Sequence, residues 1–167
     1  MLISWVYTLL GAFALGELAG YLVHRRLHDR NSGAMYWAHH EHHNVLYPPN
    51  RFYGDGSSRY RHPRRSQAKY YLISAAVLSM TFMPFGLLHG AAAFCVMSVW
   101  LWLNAYVHDS FHVRGHWLER FARFRKLRSM HLTHHVDQRM NNGILTFWVD
   151  RIFKTYDIRR VTVPQDP

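Results

Sequence analysis

Ten of the fourteen histidines of this 167-residue chain fall into four tight clusters. His24 and His28 lie in VHRRLHD, and His39, His42 and His43 in AHHEHHN. His108 and His112 lie in VHDSFHV, and His131, His134 and His135 in MHLTHHV. The order reads HxxxH, HxxHH, HxxxH, HxxHH. On a helix, residues three and four apart share a face, so each cluster is expected to aim two or three imidazoles at one point. Neutral imidazole is the commonest metal ligand and suits zinc, copper, iron and nickel. Ten such ligands exceed the needs of one ion and suit two ions with open coordination positions. Histidine-rich tails can bind metal loosely, but they are low-complexity. These clusters sit within aromatic and apolar sequence.

The elements that must position them are legible in the charge pattern. The formal charge is +10, from 20 basic and 10 acidic residues. Residues 1–23 hold no Lys or Arg and one acid, Glu17; residues 70–107 hold no charged residue. All basic residues lie in 24–69 and 108–160. This alternation is that of an integral membrane protein with basic loops on the cytoplasmic side. A nucleic-acid binder would not segregate its charge from long uncharged stretches, so no nucleic-acid partner is expected. Residues 2–23 are long enough for one span. They lack a basic leading segment and carry Glu17, so a retained span is expected rather than a signal peptide. Half of residues 70–107, at helical rise, covers about 28 Å, close to the hydrocarbon thickness of about 30 Å. A hairpin of 69–87 and 90–107 follows, turning near His89–Gly90. The expected fold is all-α: a membrane helical bundle of three hydrophobic spans, or four with a re-entrant or interfacial helix, under a cytosolic histidine-rich cap. The chain is read as a single domain over 1–167. Residues 44–68 read as a connecting loop, and 117–130 as an interfacial helix with Trp117, Phe121, Phe124 and Leu127 near one face. The single cysteine, Cys95, is expected to be a small packing residue within an uncharged span.

Polar residues stand in register with the clusters. Glu17 shares a helical face with His24 and His28, and an ionisable group inside a span is a functional candidate. Glu17 is too far along the helix to ligate the same ion, so it is expected in a substrate cavity or as an outer partner. Asn104 shares a face with His108 and His112. Asp109 and Asp137 adjoin the clusters and could receive an imidazole N–H. His40, His62, His89 and His116 stand outside the metal set.

The four-cluster order resembles the fatty acid hydroxylase/sterol desaturase superfamily of membrane di-metal oxygenases. The segment MHLTHHVDQRMNNGILTFWVDRIFKTY is similar to that family's closing stretch, with an Asn/Gly turn and an aromatic–Asp–Arg sequence. Lys154 stands where the family often has Gly. HDSFH looks like beta-carotene hydroxylases, which space the first and third clusters one residue wider. HHNVLYPPNRF is more like the lipid 2-hydroxylase branch.

The resemblance covers residues 17–156 and implies that the ten clustered histidines are the metal ligands. It also implies molecular oxygen as co-substrate and a lipid substrate. Oxidising an unactivated C–H bond needs a redox metal, which favours two iron ions; an isolated protein can carry zinc. The chain has no GxGxxG loop, CxxC or haem motif. An external electron donor is therefore implied, a ferredoxin or a cytochrome with its reductase, and a basic face would steer acidic donors. Hydroxylation of a lipid acyl chain leads; carotenoid hydroxylation and sterol or lipid desaturation are alternatives within the same chemistry. A zinc-dependent membrane hydrolase would need a carboxylate base, for which Glu41 is the candidate within a cluster. A metal transporter would need ligands at the membrane midplane.

Overall fold

The computed structural model describes residues 2–54 and 65–158, without the side chains of 65–71. His62 and the middle of the expected connecting loop lie outside the described residues. Six α-helices occur among the described residues, and no strand. They are α1 (Leu2–Leu27), α2 (Ala34–Glu41), α3 (Arg65–Ser79), α4 (Leu87–Phe111), α5 (Ala122–Val136) and α6 (Trp148–Ile152). The chain divides into two compact units: residues 1–20 with 61–106, and residues 21–60 with 107–167.

The first unit contains the leading part of α1, α3 and most of α4. Its buried centre is Ala12, Ala75, Ala93 and Met97. Three alanines from three helices meet there, and small residues let helix backbones approach closely. Gly16 and Gly20 continue this on α1, where a Cβ on Gly20 would stand 2.9 Å from the Trp100 ring. The large apolar side chains face outward instead: Leu2, Ile3, Leu10, Ile73, Val77, Leu88 and Trp102 are exposed. Small residues inside and large apolar residues outside suit lipid surroundings.

Two helices, α1 and α4, are long and apolar enough to cross a membrane. The third apolar stretch, Leu72–Phe85, is shorter, and three full-length spans are not seen among the described residues. The hairpin also turns earlier than expected. A 3₁₀ segment, Met80–Phe85, ends at Gly86, whose φ of +119° excludes most side chains. His89 and Gly90 therefore lie inside α4. Gly90 serves a close approach, since a Cβ there would strike the Met83 sulfur. His89 is buried, stacked 4.1 Å from Trp5 and bonded to Thr8 Oγ1 at 2.7 Å.

The second unit contains the end of α1, α2, the last residues of α4, α5 and α6. The end of α1 carries Arg25 and Arg26, which complement the negative end of the helix dipole. A short turn begins at Asp29, whose Oδ1 accepts from the Asn31 amide at 2.9 Å. Gly33, at φ +62°, then admits α2. This helix widens into a π turn over His42–Leu46. The expected helix over 117–130 is instead a 3₁₀ turn, Trp117–Arg120, a break at Phe121, and α5 from residue 122. His116 caps the turn, its Nδ1 accepting from the Leu118 amide at 3.3 Å. Phe124 packs with Phe111 and Ile144, beside Leu118 and Leu127, while Trp117 and Phe121 stay exposed. That face of α5 therefore turns inward, where an interfacial helix would have laid it on headgroups. The expected loop also ends early, because α3 starts at Arg65.

Candidate metal centre

All ten clustered histidines lie in the second unit, and their ring nitrogens gather into two groups. The first comprises His24, His28, His39, His43 and His134; the second comprises His42, His108, His112 and His131. Ligand atoms within each group stand within 4.8 Å of one another. His135 lies with His42 and His43 in a third, overlapping set, and its Nε2 is 3.1 Å from that of His131. This places His135 beside the second group, so each group has five rings.

The division runs through two of the clusters. Each HxxxH pair serves one group, His24 and His28 the first, His108 and His112 the second. Each HxxHH triplet is split: His39 and His43 from His42, and His134 from His131 and His135. The expectation that a triplet converges on one point is therefore corrected. Successive helical residues point about 100° apart and cannot face each other. An adjacent pair such as His42–His43 straddles the two groups, and a π turn begins at His42.

Proton placement tests whether these rings fit a metal. His24 Nδ1 lies 2.8 Å from the Asn142 carbonyl, and His134 Nδ1 lies 2.7 Å from that of Met140. His112 Nδ1 lies 2.7 Å from the Phe52 carbonyl, and His135 Nδ1 lies 2.8 Å from that of Tyr47. A carbonyl only accepts, so Nδ1 carries the proton in all four rings. Their Nε2 lone pairs consequently point inward. His112 Nε2 and His135 Nε2 both approach His131 Nε2, at 3.0 and 3.1 Å. One proton on His131 can satisfy only one of them. In the first group, His28 Nε2 stands 3.1 Å from both His39 Nε2 and His134 Nε2. His24 Nε2, His42 Nε2 and both nitrogens of His43 are buried without a hydrogen-bond partner. Two ligands at right angles, each about 2.1 Å from an ion, stand roughly 3.0 Å apart. Converging lone pairs at that spacing fit a bound cation in each group.

Eight of the rings are also held neutral, as metal ligands would have to be. Burial lowers His28 to about 4 and His135 to about 3 from the ordinary 6.5. His39, His42, His43, His112, His131 and His134 are likewise held well below that value, first by burial and then by neighbouring rings.

The outer contacts match the sequence expectation in part. Asp109 does approach a ring, with Oδ1 3.3 Å from His108 Nδ1. Asp137 pairs with Arg139, at 3.0 Å. Glu17, in the first unit, accepts from the Trp100 indole at 2.9 Å and is 4 % exposed. Asn104 is half-buried on α4. His116 and His40 belong to neither group; His116 is a turn cap and His40 packs against Tyr36 and Trp37. The residues sequence reasoning missed are those that hold the rings through backbone carbonyls: Tyr47, Phe52, Met140 and Asn142. A carbonyl is common to every residue and leaves no side-chain signature.

The family model described as fatty acid hydroxylase matches residues 9–155. No curated protein and no solved structure matches the chain.

Proposed function

The chain belongs to the fatty acid hydroxylase family, and from that premise we propose that it is an O₂-dependent di-iron membrane oxygenase. Its substrate is a lipid acyl chain or a similar hydrophobic molecule, and its product is hydroxylated. The observation that carries this reading is the pair of five-histidine groups with inward lone pairs. Two irons bound there would supply the reductive activation of O₂ that oxidation of a C–H bond requires. One oxygen atom enters the C–H bond; the other leaves as water, with two electrons and two protons from an external donor.

The chain's own residues do the rest. The ten imidazoles hold the ions. The carbonyls of Asn142, Met140, Phe52 and Tyr47 fix the tautomer and aim of four of them. Ring burial excludes water and protons from the ligand nitrogens. The exposed apolar faces of α1 and α4 suit a lipid environment from which a hydrophobic substrate arrives. Exposed Arg120, Arg123, Arg125 and Lys126 suit an acidic electron donor, a ferredoxin or a cytochrome with its reductase. Basic residues flanking the apolar stretches support a cytoplasmic position for the histidines.

A carotenoid hydroxylase or a desaturase would use the same centre. A zinc hydrolase is disfavoured, because Glu41 is exposed and belongs to neither group. The test is oxygen consumption by the iron-loaded protein in lipid, coupled to an added reductant. Lipid extracts from cells with the protein should contain a species heavier by one oxygen. Metal-loaded protein that consumes no oxygen with any donor or lipid would sink the oxygenase reading.

A further inference from the structure

Behind the first histidine group lies a buried carboxylate that the reaction itself does not use. Asp150, on α6, is 0 % exposed. Its Oδ1 accepts from the Asn142 amide at 2.8 Å and from Thr155 Oγ1 at 2.8 Å. Its Oδ2 accepts from the Gly143 amide at 2.9 Å. The Gly143 N–H and the Asn142 C=O belong to one peptide group, which is planar and trans. The two bonds of that unit point in opposite directions. Asp150 grips the N–H end, and His24 Nδ1–H is held by the C=O end at 2.8 Å.

From this geometry we infer that Asp150 is a positioning residue for His24, acting through the 142–143 peptide. The inference rests on the metal-centre reading. A carboxylate bonded directly to a ligating imidazole orients it and raises its basicity. Here one peptide group is interposed. The negative charge at the N–H end polarises the carbonyl, and a polarised carbonyl is a stronger acceptor for the imidazole proton.

Three further contacts show that the arrangement is built. A Cβ on Gly143 would strike the Thr146 carbonyl and stand 2.8 Å from Asp150 Oδ2, so only glycine lets the carboxylate approach. Thr155 Oγ1 also lies 3.0 Å from the Tyr21 hydroxyl, on the same helix as His24 and three residues before it. The same loop offers the Met140 carbonyl to His134, a second ring of the first group. All three groups facing Asp150 are donors. An asparagine there would turn an NH₂ towards one of them and lose the charge.

The test loads the full-length protein in detergent with Co(II), whose visible absorption reports on each coordination site. Wild type should bind two ions. Asp150→Asn should bind one ion as wild type does and the other about 10- to 100-fold more weakly, the range for loss of an outer partner. The lost absorption should match the component removed by His24→Asn, with helicity unchanged. Thr155→Val, which keeps the carboxylate, should weaken the same ion by a smaller factor. Unaltered affinities and spectrum in Asp150→Asn would overturn the inference alone. Parallel weakening of both ions in both variants would also overturn it, making Asp150 a general anchor of the fold. Wild type that binds no Co(II) would sink the metal-centre reading, and the inference with it.

Discussion

The first histidine group leans on the carbonyls of Asn142 and Met140, in one short loop, whereas the second leans on those of Phe52 and Tyr47. The first loop is secured by side chains. Asp150 binds its amides, and Asn141, at φ +52°, donates to the Met130 and Asp157 carbonyls and accepts from the Asp157 amide. The second loop is secured mainly by main-chain bonds and ring packing, with Arg51 Nη2 donating to the Val45 carbonyl at 3.1 Å. Tyr47 N donates to the His42 carbonyl, Arg51 N to that of Pro48, and Gly54 N to that of His112. The Tyr47 ring stacks on His112 at 3.9 Å, and Phe52 is buried. The contrast teaches that two histidine groups of equal size can differ in what a point substitution reaches. The first is open to selective loosening through polar side chains, the second through aromatic contacts.

The largest effect should come from the ligands themselves. His134→Ala and His112→Ala should each lower turnover by about a hundredfold or more, beyond what outer partners contribute. Metal analysis should show the first-group ion missing in one and the second-group ion in the other. If either variant loses both ions while retaining its helicity, the two groups are one coupled site and the comparison dissolves.

A smaller effect is expected from Tyr47→Leu, which keeps the carbonyl bonded to His135 and removes the ring stacked on His112. An aromatic contact is worth about 1 kcal/mol, or roughly fivefold in affinity. That loss should appear in Co(II) titrations at the second-group ion only. An equal loss at the first would show that Tyr47 supports the whole unit.

The smallest should come from the cap that starts the segment leading into α5, the helix that supplies rings to both groups. His116→Ala should lower stability by about 1 kcal/mol, and His116→Asn by less, because Asn can also accept at a cap. Both ions should weaken together. The cap needs a neutral ring, since Nδ1 accepts from Leu118 N–H. Burial lowers the folded-state pKa of His116 below the ordinary 6.5. The cap's contribution is therefore complete above about pH 6.5 and is lost as pH falls through the lower folded value. Thermal unfolding of wild type and His116→Ala across that range should converge on acidification. Curves that stay parallel would remove the cap from the account.

Some of this was open to reading before any fold was known. Ten clustered imidazoles, an uncharged stretch over 70–107 and basic flanks are properties of residue type and order. Composition alone determines that such segments prefer lipid and that such rings prefer metal. Local geometry was less secure. Gly86 and Gly90 look equivalent in the sequence, yet one takes a positive φ for the turn and the other admits Met83. The helix expected over 117–130 starts five residues later, because His116 and Glu119 cap a separate turn.

The allocation of rings was decided only in three dimensions. Helical spacing shows that His42 and His43 diverge, but not which partner elements await each of them. His43 meets rings from α1 and α5, and His42 meets rings from α4 and α5. The tautomers were settled by carbonyls at Tyr47, Phe52, Met140 and Asn142, groups that every residue carries and no pattern distinguishes. Asp150, eight residues beyond Asn142, gains its place only because the chain folds back upon that amide. Residue chemistry determined that these imidazoles are able to hold metal; chain path determined which nitrogens gather in which group, because hydrogen-bond direction depends on tertiary contact.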